Sequence, residues 1–167
     1  MKKRVFSPYV PSPPEVAWAM LDLAEVKEDE LIYDLGCGDG RILLIAALDF
    51  GAKGVGVEID SGRYRRAKRM VKSLNLTDKI DIIHGDVNEV DLRDADVVTL
   101  YLTPEANRKL KRKFENELRE KARVVSHDFK IEGWKPSYVL PLFSRADYLI
   151  IPHKIFLYRM REIYKTR

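Results

Sequence analysis

The chain has 167 residues, with 30 Lys plus Arg against 26 Asp plus Glu, a formal net charge of +4 and a single cysteine. That length suits one domain whose core needs no disulfide or metal staple, and one cysteine excludes a disulfide framework and any Cys-rich zinc site. No apolar run nears the roughly 18 residues of a membrane span, and Pro8, Pro11, Pro13 and Pro14 occupy the place where a signal-peptide core would follow Met1-Lys2-Lys3-Arg4. The expectation is a soluble, cytoplasmic domain over 1–167 with no membrane partner and no bound metal. Charged residues at 34%, with no Gln, follow the thermophile pattern of a solvated, ion-paired surface.

Residues 1–14 are proline-rich and predict an extended arm. Glu15–Val26 carries helical periodicity, with Val16, Met20, Leu23 and Ala24 on one face. Glu30–Leu35 is a strand that runs into Gly36-Cys37-Gly38-Asp39-Gly40, and Arg41–Phe50 is a buried helix ended by Gly51. Strands at Gly54–Ile59 and Lys79–His84 flank a basic helix over Ser61–Leu74. A strand at Asp96–Leu102, a charged helix over Pro104–Glu120 and a strand at Arg123–Phe129 follow. The tail reads as two strands, near Tyr138–Phe143 and Lys154–Met160, with little helix between them. Alternating strands and helices predict a doubly wound α/β sheet, mostly parallel, with helices on both faces and an antiparallel edge hairpin. Its ligand belongs at the carboxyl ends of the strands.

The glycine loop after Asp34 has the strand–loop–helix context of a nucleotide site. Glu58 closes the next strand about 20 residues on, where an acid accepts from ribose hydroxyls. Asp86, with Val87 behind it, ends the third strand, where an acid can accept from an adenine amino group. The third position of the dinucleotide fingerprint is Arg41 rather than Gly or Ala, and Asp34 and Asp39 would repel a pyrophosphate. No Gly-Lys-Ser/Thr follows, so a P-loop is excluded. A ligand carrying an amino group and a sulfonium cation fits: S-adenosylmethionine.

Asp34–Gly40, Glu58 and Asp86 together resemble motifs I to III of the seven-β-strand, Rossmann-like S-adenosylmethionine-dependent methyltransferases. Pro8-Tyr9-Val10-Pro11-Ser12-Pro13, Tyr33–Ile42, Gly56–Ile59, Val97–Leu102, Arg123–Phe129 and Gly133-Trp134 carry the resemblance further, to the archaeal protein lysine methyltransferases and their mitochondrial relatives. The match runs from Tyr9 to Pro136. It implies methyl transfer to protein lysines with broad selectivity; the chain itself is expected to be a monomer. It also implies a cofactor site of Asp34, Gly36, Cys37, Gly38, Asp39, Gly40, Glu58, Ile59, Asp86, Val87 and Tyr101.

Tyr101, at the end of the fourth strand, is the expected wall of the acceptor channel, with Tyr9 and Trp134 beside it and Phe129 on the same rim. The bland alternative for these aromatics is ordinary packing. Cys37 reads as a small residue in a tight loop rather than a nucleophile. His127 reads as structural, and His84 and His153 as structural or surface. The run containing Lys109, Lys111, Arg112 and Lys113 reads as a solvated helix face before a nucleic-acid surface. The segment Thr99–Pro104 lacks the Asn/Asp-Pro-Pro-Tyr pattern of base-methylating enzymes. RNA methylation, small-molecule methylation and a non-catalytic scaffold stay open as alternatives.

Overall fold

The structure is a computed structural model that describes residues 9–166; the first part of the expected arm, residues 1–8, lies outside them. In chain order the elements are α1 (Pro14–Leu23), β1 (Leu31–Leu35), α2 (Arg41–Asp49), β2 (Lys53–Glu58), α3 (Ser61–Ser73), β3 (Ile80–His84), β4 (Val97–Leu100), α4 (Pro104–Glu117), β5 (Arg123–His127), β6 (Tyr138–Ala146), β7 (Leu149–Arg159) and α5 (Met160–Lys165). The helix starts have local causes. Pro14 and Pro104 stand in the first turns of α1 and α4, where their missing N–H costs nothing. The side chains of Asp60 and Thr103 cap α3 and α4, accepting from the amides of Arg63 and Ala106.

One seven-stranded sheet has the order β3-β2-β1-β4-β5-β7-β6. Pairs β1–β2, β1–β4, β2–β3 and β4–β5 are parallel, and β7 is antiparallel to both β5 and β6. Alternate strand residues face opposite sides. Ile32, Val97 and Val125 join α1, α2 and α3 in one core, whereas Leu35, Val98 and Val124 join α4 and α5 in the other. Strand order reverses between β1 and β4, which opens a crevice at their carboxyl ends.

Two features of the tail differ from expectation. The hairpin strands are longer than read, because their distal halves pair only with each other and leave Phe143, Leu149 and Ile150 exposed without a core-facing pattern. The chain also ends in a short helix, α5, which buries only Met160 and Ile163, too few positions to give a readable period.

Candidate active site

The register of β1 against its neighbours builds the floor of the crevice. Asp34 lies opposite Gly56 of β2 and Thr99 of β4. Its Oδ1 accepts from the Thr99 hydroxyl at 3.0 Å, and the residue is only 3% exposed. Burial, with Glu58 and Asp39 as nearby like charges, raises the Asp34 carboxyl to about 7 against the hydrogen bond from Thr99. Among the described residues no cation offsets those effects.

The glycine loop then turns through left-handed backbone at Gly36 and Gly38, with φ of 80° and 58°. A Cβ on Gly36 would stand 2.9 Å from Leu102, and one on Gly38 would stand 2.6 Å from the Tyr9 ring. Most of the loop amides are already committed. Those of Gly36 and Cys37 donate to Val57 O, that of Gly38 to Glu58 Oε2, that of Gly40 to Cys37 O and that of Arg41 to Asp39 Oδ1. A pyrophosphate cradle needs such amides free, so the loop serves a ligand that brings its own donors.

Glu58 ends β2 buried, its Oε1 accepting from the amide of Asp60 at 2.8 Å and from Arg63 at 3.2 Å. Asp39 is paired with Arg41 at 2.8 Å, which, against the upward pull of burial, holds its carboxyl below the usual range. Asp86, after β3, accepts through Oδ1 from the amide and side chain of Asn88.

A cavity of ≈ 710 Å³ opens over these groups. Every expected cofactor residue except Gly40 lines it, as do Tyr9 and Tyr101. Gly40 instead starts α2 in left-handed backbone and packs near Ala67 of α3. Arg63 and Asn88 line the cavity without having been singled out from sequence, and Arg41, Ser12, Leu102 and Lys109 line it without having been read as site residues. Arg63 was hidden in the basic run that opens α3. A void of this size, lined by buried acids whose own partners leave Asp34 without a cation, fits an adenosine bearing ammonium and sulfonium charges.

Tyr101 follows β4 at the cavity wall. Its hydroxyl donates to Asp128 Oδ2 at 3.3 Å, and its ring lies 3.9 Å from that of His127 and 6.1 Å from that of Phe129. Burial and Asp128 hold the phenol protonated, above its usual range, so Tyr101 is a wall and a donor rather than a base. Tyr9 covers Gly38 while the guanidinium of Arg63 sits 5.1 Å from its ring centre. One aromatic face is therefore already taken, and Tyr9 lies over the loop while lining the same cavity as Tyr101.

Trp134 departs from expectation. It is buried against Phe114 and Tyr158, and its indole N–H donates to Glu115 at 2.9 Å. It lies in the second core and not on the cavity. Cys37 is buried, with its Sγ in the space a Cβ on Gly56 would enter. Burial pushes its thiol well above the usual range, which removes it as a nucleophile. Burial likewise pushes His127 down to about 4, with Asp128 opposing and His153 adding to the shift, so its ring is neutral near pH 7.

Comparison with known proteins relates the chain to methyltransferases. The ANTKMT methyltransferase domain matches residues 34–138. A protein-lysine N-methyltransferase of Saccharolobus islandicus is 43% identical over 156 residues, 93% of this chain and 94% of that protein. The adenine nucleotide translocase lysine N-methyltransferase of Mus musculus is 29% identical over 82% of this chain, which spans 59% of that protein. Among solved structures, an RNA methyltransferase from Salinibacter ruber in complex with S-adenosyl-L-homocysteine is 37% identical. It superposes with a TM-score of 0.80 over 90% of this chain and 94% of that one.

Proposed function

The chain belongs to the ANTKMT methyltransferase domain family, and from that premise we propose that it transfers methyl groups from S-adenosylmethionine to lysine side-chain amines of proteins. The observation that carries this reading is the 43% identity, over nearly the full length of both chains, with the S. islandicus lysine enzyme. When bound, S-adenosylmethionine supplies an electrophilic methyl group on a sulfonium cation. Asp34 would hold its ammonium group, Glu58 its ribose hydroxyls and Asp86 its adenine amine, while Tyr9 excludes water from above the loop.

The protein's remaining task is positioning, worth up to ~7–11 kcal/mol for well-oriented partners. A free lysine amine has a pKa of about 10.4 and must be neutral to attack. The ring of Tyr101, which lines the cavity, would attract the incoming ammonium by cation–π contact. The partly buried wall formed by Tyr101 and Leu102 then disfavours its charged form. The proton can leave to solvent once the amine has entered, so a dedicated base is not required.

The same proposal takes residues 1–167 as one domain acting as a monomer in the cytoplasm of a thermophilic archaeon. Its support is the charge-rich, glutamine-free composition and the archaeal source of the 43% identical relative. Methylation of RNA is the second reading, favoured by the name of the S. ruber relative. Incubation with radiolabelled S-adenosylmethionine, RNA and a crude protein extract separates the two. Label should enter protease-sensitive bands and map to methylated lysine. Label in nuclease-sensitive material would transfer the assignment to RNA.

A further inference from the structure

Behind the Tyr101 wall, at the end of β5, two imidazoles and a carboxylate converge. His127 Nε2 lies 2.9 Å from His153 Nδ1, and Asp128 Oδ2 lies 3.3 Å from the first and 3.5 Å from the second. These are the only such group of three metal-ligating side chains among the described residues. Zinc bonds to nitrogen or oxygen are about 2.0–2.1 Å long, and a tetrahedron of that size has edges of about 3.3 Å. The three donor atoms therefore already span something close to one face of a zinc coordination shell.

The surroundings match that chemistry. The outward nitrogen of each ring is held by a hydroxyl, His127 Nδ1 by Ser12 at 2.8 Å and His153 Nε2 by Ser144 at 2.8 Å. Metal-bound histidines characteristically have the second nitrogen fixed in this way. Asp128 is pinned as firmly. Its amide donates to Lys154 O at 2.7 Å, its Oδ1 accepts from the Lys154 amide at 2.9 Å, and its backbone is left-handed at φ 59°. The donors thus stand on or beside two paired strands of the sheet, with both rings buried and Asp128 partly open to solvent.

We propose that His127, Asp128 and His153 bind a first-row divalent cation of the zinc class. Two imidazole nitrogens and one carboxylate oxygen suit zinc, cobalt or nickel far better than magnesium or calcium. Without metal, the facing nitrogens of His127 and His153 share one proton. The cation takes both inward lone pairs as the bridging proton moves to the outward nitrogen of its own ring, where a serine hydroxyl oxygen accepts its hydrogen bond, so both imidazoles bind as neutral ligands. The bound ion clasps β5 to β7. Through the Ser12 contact it also anchors the arm that covers the glycine loop. The inference does not depend on which acceptor is methylated.

The test uses tag-free full-length protein stripped with a chelator. Zinc is titrated calorimetrically, and cobalt is titrated while its visible d–d absorption is followed. One ion per chain should bind with micromolar or tighter affinity, and cobalt should give a low-symmetry spectrum with nitrogen ligands. His153→Ala and Asp128→Asn should each weaken zinc at least tenfold, and Ser144→Ala by about tenfold through the second nitrogen. Asp34→Asn should leave zinc affinity unchanged. Should His153→Ala fail to fold, Asp128→Asn alone decides, because that side chain is partly exposed. Absence of saturable binding overturns the proposal, as does undiminished affinity in Asp128→Asn. Loss of affinity in Asp34→Asn would put the ion in the cofactor cavity and overturn it equally.

Discussion

Asp34 combines a stability cost with a binding role. Its carboxyl is buried and raised to about 7, whereas an unfolded aspartate ionises near 3.9. The raised value means that the folded state resists ionisation. The cost builds as pH rises from about 4 to about 7 and is complete above that. A separation of about three units is about 4 kcal/mol at most. Asp34→Asn should therefore raise the Tm of the ligand-free protein at pH 8. The gain should shrink as pH falls below 7 and vanish near 4 in pH-resolved thermal melts. The same substitution should weaken S-adenosylmethionine roughly 10–100-fold, the worth of one charge-assisted hydrogen bond. Wild-type affinity should follow the ionised fraction, falling by about tenfold per unit below pH 7 in calorimetric titrations. A pH-independent affinity would show that Asp34 does not carry the cationic end of the ligand.

At the level of elements, Arg123 joins four of them from the first position of β5. It donates to Ala24 O beyond α1, to both carboxylate oxygens of Glu30 just before β1 at 2.9 and 2.7 Å, and to Asp96 O before β4. Arg123→Ala strands a partly buried Glu30 and frees several carbonyls, at a cost of about 2–3 kcal/mol. That is a Tm lower by roughly 5–10 °C for a chain of this size. Burial pulls the Glu30 carboxyl up, but Arg123 holds it below the usual range. The stabilisation is therefore present above the ordinary glutamate range and lost as pH falls through the lowered value. Acid unfolding curves of wild type and Arg123→Ala should accordingly converge at low pH. The elements from α1 to β5 were legible because each carries a clean period and most end at a glycine, proline or capping residue. The Asp34–Glu58–Asp86 constellation was legible because strand ends fix it. The length of the hairpin was not legible, since edge strands that pair only with each other need no apolar alternation. Nor was the place of Trp134, which depends on whether the chain after β5 turns toward the cavity or into the core beside Phe114. His127 and His153 are 26 positions apart, and only the registers of β7 with β5 and β6 bring them together.

On the scale of the whole molecule, the arm connects regions that the sheet alone keeps apart. Tyr9 lies on the glycine loop, Ser12 O accepts from Arg41 at the start of α2 at 3.0 Å, and the buried Ser12 hydroxyl meets His127 at the end of β5. Arg63 of α3 then sits over the Tyr9 ring while its guanidinium reaches Glu58. The strap therefore crosses the mouth of the cavity from the β2 side to the β5 side. It orders the residues that meet the ligand without belonging to either hydrophobic core. Removal of residues 1–12 should leave the sheet and helices intact by circular dichroism, because α1 keeps Pro13 and Pro14 at its start. Cofactor affinity should nonetheless fall by tenfold or more, since Tyr9 no longer excludes water and Arg63 loses its partner ring. Gly38→Ala approaches the same contact from the other side. Its methyl would stand 2.6 Å from the Tyr9 ring at a φ of 58°, so the ring must leave or the loop must distort. Both variants should bind S-adenosylmethionine weakly in calorimetry. Combined, they should cost little more than the worse of the two, because they remove one shared interaction. Additive losses would mean that the arm and the loop serve the ligand separately. Full affinity in the truncated protein would mean that the strap has no part in holding it.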